Sequence, residues 1–331
     1  MGADRRGLRR WLRWGVMLAV GVLAIVFVRR LDLARALEVI EGASIGWLAV
    51  AMLVNATLRV GTRVLRTRSL LSVMPGSVPL RELAAFVYGS MALGYVVSPI
   101  AGSAARVFAL QHHGVPSESV VAVSLWEKVV TGCTIALLSG VMLLRGDNSR
   151  DVHYALLVAT LLGVVGLGVA ILATVAFRRL TRRHVSPTSG ARRWLFSLGG
   201  SLGALSDIRV LLRAFLWSTL SELCDIAMLA LVMHALGLPV DLAACVLAFV
   251  VMNVATVLPS TPGQLGVFEA MTAWALVAAG VPSESALAAG ILYHLVHVVP
   301  VFLVGLPSLL RIRVERREDE IKRSRQLPVQ P

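Results

Sequence analysis

Two carboxylates, Glu222 and Asp225, stand three residues apart in an apolar run. That spacing puts both on one face of a helix, where two buried charges cannot both ionise comfortably without a cation nearby. The pair suits proton coupling, and it equally suits a structural clamp by Arg59 or Arg63 of an earlier segment. A second group is Arg106 with Glu127 and Lys128. Sequence neighbours on a helix point about 100° apart, so Glu127 and Lys128 do not face each other. Arg106 is the expected partner of Glu127, which leaves Lys128 for an anionic headgroup or for snorkelling to the interface. The third group is Pro259-Ser-Thr-Pro-Gly-Gln-Leu-Gly-Val-Phe-Glu269, in which prolines and glycines interrupt an apolar segment. Pro262 and Gly263 are expected to open a half-helix whose N–H groups favour a phosphate. Gly266 comes next, and Glu269, about two turns in, is expected as a proton or cation partner; the alternative is a sharp loop with an exposed Glu. His234, His294 and His297 are further proton carriers or helix-packing hydrogen bonders.

The elements that must position these groups are hydrophobic helices. The 331 residues are 57% hydrophobic and only 15% charged, with a mean hydropathy of +0.78. This is too little polar surface for a soluble domain of that length. Apolar segments near the length needed to cross about 30 Å of hydrocarbon fall at about 12–28, 44–64, 80–98, 118–144, 153–177, 209–236, 240–258 and 284–310. A lipid-exposed backbone must satisfy its own hydrogen bonds, so these are helices. The first comes after Arg5, Arg6, Arg9, Arg10 and Arg13, but Arg29 and Arg30 stand beyond it where a signal peptide has small residues, so it reads as a retained helix. Cys133, Cys224 and Cys245 lie in apolar segments with neither disulfide nor metal-ligand spacing. No cofactor or metal is expected. The net charge of +13 clusters beside helix ends, which points to positive-inside topology and not to nucleic acid.

Gly-Val-Pro-Ser-Glu-Ser occurs at 114–119 and again at 280–285, each time ahead of a long apolar segment. The same offset sets Glu127 against Tyr293 and Lys128 against His294, and upstream Pro99 and Gly102 find counterparts in Pro259 and Gly263. Loop charge places the amino terminus, Arg59–Arg68, 178–193 and the tail in the cytoplasm, and 29–43 and 145–151 outside. Residues 80–113 must then turn back on themselves at Pro99–Gly102, and 240–280 must do so at Pro259–Gly263, with the second copy upside down. The expected fold is an all-α polytopic membrane protein with two inverted repeats (about 80–144 and 240–310), each with a re-entrant broken-helix hairpin, and about eight membrane segments in one domain over 1–311. Residues 190–206 read as an interfacial segment whose Gly199, Gly200 and Gly203 oppose a long helix. Residues 312–331 read as a charged cytoplasmic tail, frayed and then disordered.

Three stretches resemble the lysylphosphatidylglycerol synthase transmembrane region, or flippase-like, family: Arg59 to Leu71, Pro99-Ile-Ala-Gly102 with Arg106 and Glu127-Lys128, and Pro262-Gly-Gln-Leu-Gly-Val-Phe-Glu269. The chain departs from that pattern at Ser103, where a Glu is usual, at Thr131, where an Asp is common, and in the spacing of Pro99. The resemblance implies a membrane protein that moves or handles lipids. The chain ends soon after its last apolar segment, so the soluble aminoacyltransferase domain is expected to be missing, and no lysylphosphatidylglycerol synthesis is expected from this chain alone.

The leading expectation is a translocase for an anionic phospholipid or polyprenyl-linked headgroup in the plasma (inner) membrane, coupled to protons, with both termini cytoplasmic. Its partners would be anionic membrane lipids, a second copy of the chain or a separate lipid-modifying enzyme. The alternatives are an integral glycosyl- or headgroup-transferase using Asp32, Glu38 and Glu41, and an ion-coupled small-solute transporter using Glu222 and Asp225.

Overall fold

A computed structural model describes residues 33–97, 99–145, 150–182, 190–255 and 262–326. The apolar segment at 12–28, Asp32, Pro259 and the last five residues of the tail lie outside them. The described residues form helices and no strands: α1 (Leu33–Glu41), α2 (Ile45–Leu71), α3 (Leu80–Val96), α4 (Pro99–Gln111), α5 (Ser117–Arg145), α6 (Arg150–Arg182), α7 (Gly190–Ala204), α8 (Ile208–Ala235), α9 (Leu242–Ala255), α10 (Val267–Ala278) and α11 (Ser283–Gln326). Stretches of α2, α5, α6, α8 and α11 are long and apolar enough to cross a membrane. With its outward leucines and valines on α6, such as Leu161, Leu162, Val165 and Leu172, the surface suits lipid. This is an integral membrane protein.

Two helical hairpins interrupt the long helices. In the first, α3 of 17 residues packs on α4 of 13; in the second, α9 of 14 packs on α10 of 12. At 1.5 Å per residue the described parts of these arms are roughly 18–26 Å long, short of the hydrocarbon thickness of about 30 Å. Pro99 is not part of the first break but the opening residue of α4, where its missing N–H is no loss. Gly102 lies inside α4, where any Cβ would collide with the Ser90 carbonyl of α3, so the arms touch through backbone.

Both copies of the repeated hexapeptide make the same turn. Gly114 and Gly280 take positive φ, 75° and 92°, the left-handed conformation that glycine adopts without steric cost. Val115 N–H donates to Leu110 O and Val281 N–H to Leu276 O, while Val120 and Ala286 donate to Pro116 and Pro282. Each hydrogen bond has its counterpart at the same offset. Each short arm is thereby reversed into a long helix, α5 or α11.

Three expectations are corrected. Residues 190–206 contain a continuous helix, α7, despite the glycines, because packing on α5 outweighs propensity: Ser197 donates to Glu118 at 2.7 Å and Ser119 meets Ser201 at 3.0 Å. The expected outer loop at 29–43 contains α1, with Ala36 buried and Glu38 and Glu41 exposed. Most consequentially, Arg59–Arg68 is not a cytoplasmic loop. It is the second half of α2, with Arg59 and Arg66 buried, Arg63 partly so and Arg68 exposed.

Candidate functional site

Arg59, Arg63 and Arg66 are spaced four and three residues apart, so they form one stripe on α2. The stripe faces α8, which supplies Glu222 and Asp225. Arg59 pairs with Asp225, whose Oδ1 also meets Nε2 of His297 on α11 at 2.7 Å. Arg63 reaches Ser221 at 3.2 Å and Asp225 Oδ2 at 3.5 Å. Arg66 donates to Ser218 at 3.2 Å and to Thr131 at 3.1 Å. Glu222 is held differently: its oxygens stand 3.8 Å from Arg66 and 3.9 Å from Arg63, and neither has a hydrogen-bond partner among the described residues.

The backbone supports this cluster at a defect. Pro300 lies inside α11 and has no N–H to give the carbonyl of Val296 four residues earlier. The Asn55 side chain donates to Val296 O at 2.7 Å and to His297 O at 3.0 Å. Its Oδ1 accepts from Arg59 at 3.0 Å. Asn55 begins a π-helical turn, Asn55–Arg59, within α2, a local widening of the kind found at functional sites. Sequence reasoning misses Asn55, Arg66 and the central place of His297. The Arg59, Arg63, Arg66 spacing is the available signal, but as a run of arginines at the end of an apolar segment it reads as loop charge.

The cluster continues into the first hairpin. Glu127 of α5 is buried and accepts from Thr67 and, at 2.8 Å, from Arg106 of α4. Lys128 is exposed and lies within electrostatic reach of Arg63, Arg66 and Arg106. Together with the partly exposed guanidiniums of Arg63 and Arg106, it forms the outward cationic edge of an otherwise buried network. Four arginines, Arg59, Arg63, Arg66 and Arg106, are set against three carboxylates, Glu127, Glu222 and Asp225, so the fully ionised network carries one excess positive charge before Lys128 is added. A neutral hydroxyl, Thr131, fills the place next to Arg66, and Ser103 is exposed on α4.

On the other side the cluster abuts the second hairpin. Phe268 of α10 lies against Tyr293, His294 and His297, stacked on His294 with ring centroids 4.4 Å apart. His294 Nδ1 meets Glu269 Oε1 at 2.7 Å. Here the sequence expectation is corrected. Pro262 and Gly263 form a short 3-10 turn, Gly263, Gln264 and Gly266 all take positive φ, and the half-helix opens only at Val267. Glu269 is therefore in the first turn of α10, where its Oε2 accepts from Gly266 N–H at 2.8 Å. The protein's own carboxylate occupies the helix end expected to take a phosphate. Gly290 on α11 makes this possible, since a Cβ there would sit 2.8 Å from the Glu269 carbonyl.

The hairpin tips also meet. A Cβ on Gly263 would lie 3.3 Å from the carbonyl of Tyr95, near the end of α3, and the 3-10 turn packs against α3. A buried polar seam thus runs from α4 and α5, through α2 and α8, to α10 and α11. His234 stands apart, edge-on to Trp47 at 4.7 Å. Among the described residues no group of three or more His, Cys, Asp or Glu has the arrangement to hold a metal ion.

The comparisons with known proteins agree with this architecture. The chain is 28% identical to glycosyltransferase AglD of Haloferax volcanii over 91% of its own length and 54% of the relative's, so it spans about half of that protein. The model of the lysylphosphatidylglycerol synthase TM region matches residues 14–305, nearly the whole of the helical body, and the chain belongs to that family.

Proposed function

We propose that the protein is a lipid translocase that receives an anionic headgroup, a phospholipid or a polyprenyl-linked one, at Lys128, Arg63 and Arg106 and passes it along the polar seam. One observation carries this reading: a buried network with more cations than carboxylates reaches the surface at a cationic edge and ends between two hairpins too short to span a bilayer. Arginine presents a planar fork of donors that matches phosphate oxygens, and Lys128 adds a point charge. The apolar chains of such a lipid stay in the bilayer while only the headgroup enters the seam. The two hairpins belong to inverted repeats in this reading, with both termini cytoplasmic in the plasma membrane. The Glu269–His294 dyad then anchors hairpin two, with Gly263 and Gly266 shaping the turn beside it.

Vesicles containing the purified protein and headgroup-labelled lipid test this directly. Labelled phosphatidylglycerol should change leaflets faster than in protein-free vesicles, and faster than labelled phosphatidylcholine. Lys128→Ala should slow it without altering folding. An unaccelerated anionic lipid would overturn the proposal.

A transferase is the second reading, favoured by the name of the archaeal relative. Its candidate acids Glu38 and Glu41 are exposed on amphipathic α1. Release of sugar or headgroup from a labelled polyprenyl-phosphate sugar, lost on Glu38→Gln or Glu41→Gln, would favour it.

A further inference from the structure

We infer that Glu222 is an exchangeable counter-ion: when a phosphate group takes Arg63 and Arg66, Glu222 takes up a proton, so one anion and one proton enter the seam together. The inference rests on the translocase reading and adds its coupling. Its geometric basis is the contrast among three buried carboxylates. Asp225 accepts from Arg63 and meets Nε2 of His297, and Glu127 accepts from Thr67 and Arg106. Glu222, equally buried at 1% exposure, accepts none among the described residues. It is held by Arg63 and Arg66 across 3.9 and 3.8 Å, beyond hydrogen-bond reach.

Charge balance sets the response of Glu222 to an incoming anion. The groups facing it are Arg59, Arg63 and Arg66 on α2, Cys224 and Asp225 on its own helix and Tyr293 on α11; behind them, Glu127 and Lys128 on α5 and Arg106 on α4 adjoin the arginines, and His297 on α11 adjoins Asp225. The apolar stretches of α2 before Asn55 and of α9, which also pack on α8, carry no charged residue. The arginines stay cationic throughout. Arg63, at 24% side-chain exposure, is the member an incoming anion meets first. A phosphate that draws Arg63 and Arg66 away removes the two cations that stand within 4 Å of Glu222. An unpaired carboxylate in low dielectric is very costly, and the step that relieves it is addition of a water-borne proton to one carboxylate oxygen, giving the neutral acid. The proton then occupies an oxygen that lacked a hydrogen bond. Departure of the anion returns both arginines and releases the proton.

The test is proton uptake on binding, measured with a pH indicator in weakly buffered detergent solution as short-chain phosphatidylglycerol is added to the full-length protein. Binding itself is monitored by tryptophan fluorescence. Wild type should take up about one proton per probe bound, and its affinity should rise by up to about tenfold per unit fall in pH. Glu222→Gln should bind with no uptake and no pH dependence. Short-chain phosphatidylcholine should give no uptake. Uptake with phosphatidylglycerol alone assigns the site to lipid; equal uptake with inorganic phosphate assigns it to the phosphate group itself, and either supports the exchange. Binding of the anionic probe without proton uptake by wild type overturns the inference while leaving the translocase reading intact, and needs no variant to fold. Uptake that persists in Glu222→Gln also overturns it and moves the proton to His297. No binding of any anionic probe overturns both.

Discussion

Hairpin one joins its long helix through Arg106 on the short arm and Glu127 on α5, whereas hairpin two uses Glu269 on the short arm and His294 on α11. The carboxylate lies on the long helix in hairpin one and on the short arm in hairpin two. The consequences differ as well. Glu127 is drawn into the central cluster by Thr67 and lies beside an exposed Lys128, so hairpin one is fastened by charge and opens outward as a cationic edge. Glu269 is closed on itself: one oxygen caps its own helix, the other holds His294, and Phe268 and Gly290 seal the contact. One hairpin therefore presents cationic groups outward, while the other satisfies its charge internally. In the proposed translocase, hairpin one would receive the headgroup and hairpin two would anchor the fold.

The sharpest way to break the comparison is to ask whether the halves are inverted at all. Single cysteines at Ser117 and Ser283, in a background with Cys133, Cys224 and Cys245 replaced, should react with an impermeant reagent from opposite sides of the membrane. Reaction of both from one side would falsify the inversion, and no partial result is expected.

The next largest effect lies at the centre that both halves share. Asp225→Ala leaves Arg59 and His297 without their carboxylate, with an expected cost of about 3–5 kcal/mol. Thermal unfolding in detergent should register it as the largest single loss. A loss no greater than that of Arg106→Ala would mean that the centre does not hold the halves together.

Within hairpin one, Arg106→Ala and Glu127→Ala should each lower the midpoint of unfolding. The double substitution should recover part of the loss, because neither charge is then left alone. Strictly additive losses would show that the pair does not act as a unit.

Within hairpin two, His294→Ala should cost less, about 1–2 kcal/mol, because it removes one hydrogen bond to a carboxylate that keeps its helix cap. Lipid movement should fall less than with Lys128→Ala. If His294→Ala were as damaging as Glu127→Ala, the division between a receiving and an anchoring half would fail.

Local sequence determined much of this. Gly114 and Gly280 end their short arms because only glycine enters the left-handed region freely, and the Pro-Ser-Glu-Ser beyond each starts the next helix, so the repeated turn was legible without tertiary information. The apolar segments were legible for the same reason: hydrocarbon imposes a length and a composition. The expectation of an Arg106 and Glu127 pair came from the impossibility of pairing Glu127 with Lys128 on one helix, and the structure places those two side chains together.

The structure alone decided where the arginines of α2 go. Arginine at the end of an apolar run normally faces water, and nothing within residues 59–68 says that α8 brings Glu222 and Asp225 against it. That neutralisation depends on residues more than 150 positions away. Asn55 poses the same problem, since its partner is the carbonyl of Val296, 241 residues along the chain and freed by Pro300. Glu269 is misplaced by sequence reasoning for a more local reason. Positive φ at Gly263, Gln264 and Gly266 delays the start of α10, and a delay of a few residues turns a carboxylate within a helix into the cap at its end. Composition and spacing settle which groups must be buried; which of them neutralise one another is fixed only when distant helices pack, because the free energy of a buried charge is set by its neighbours in space.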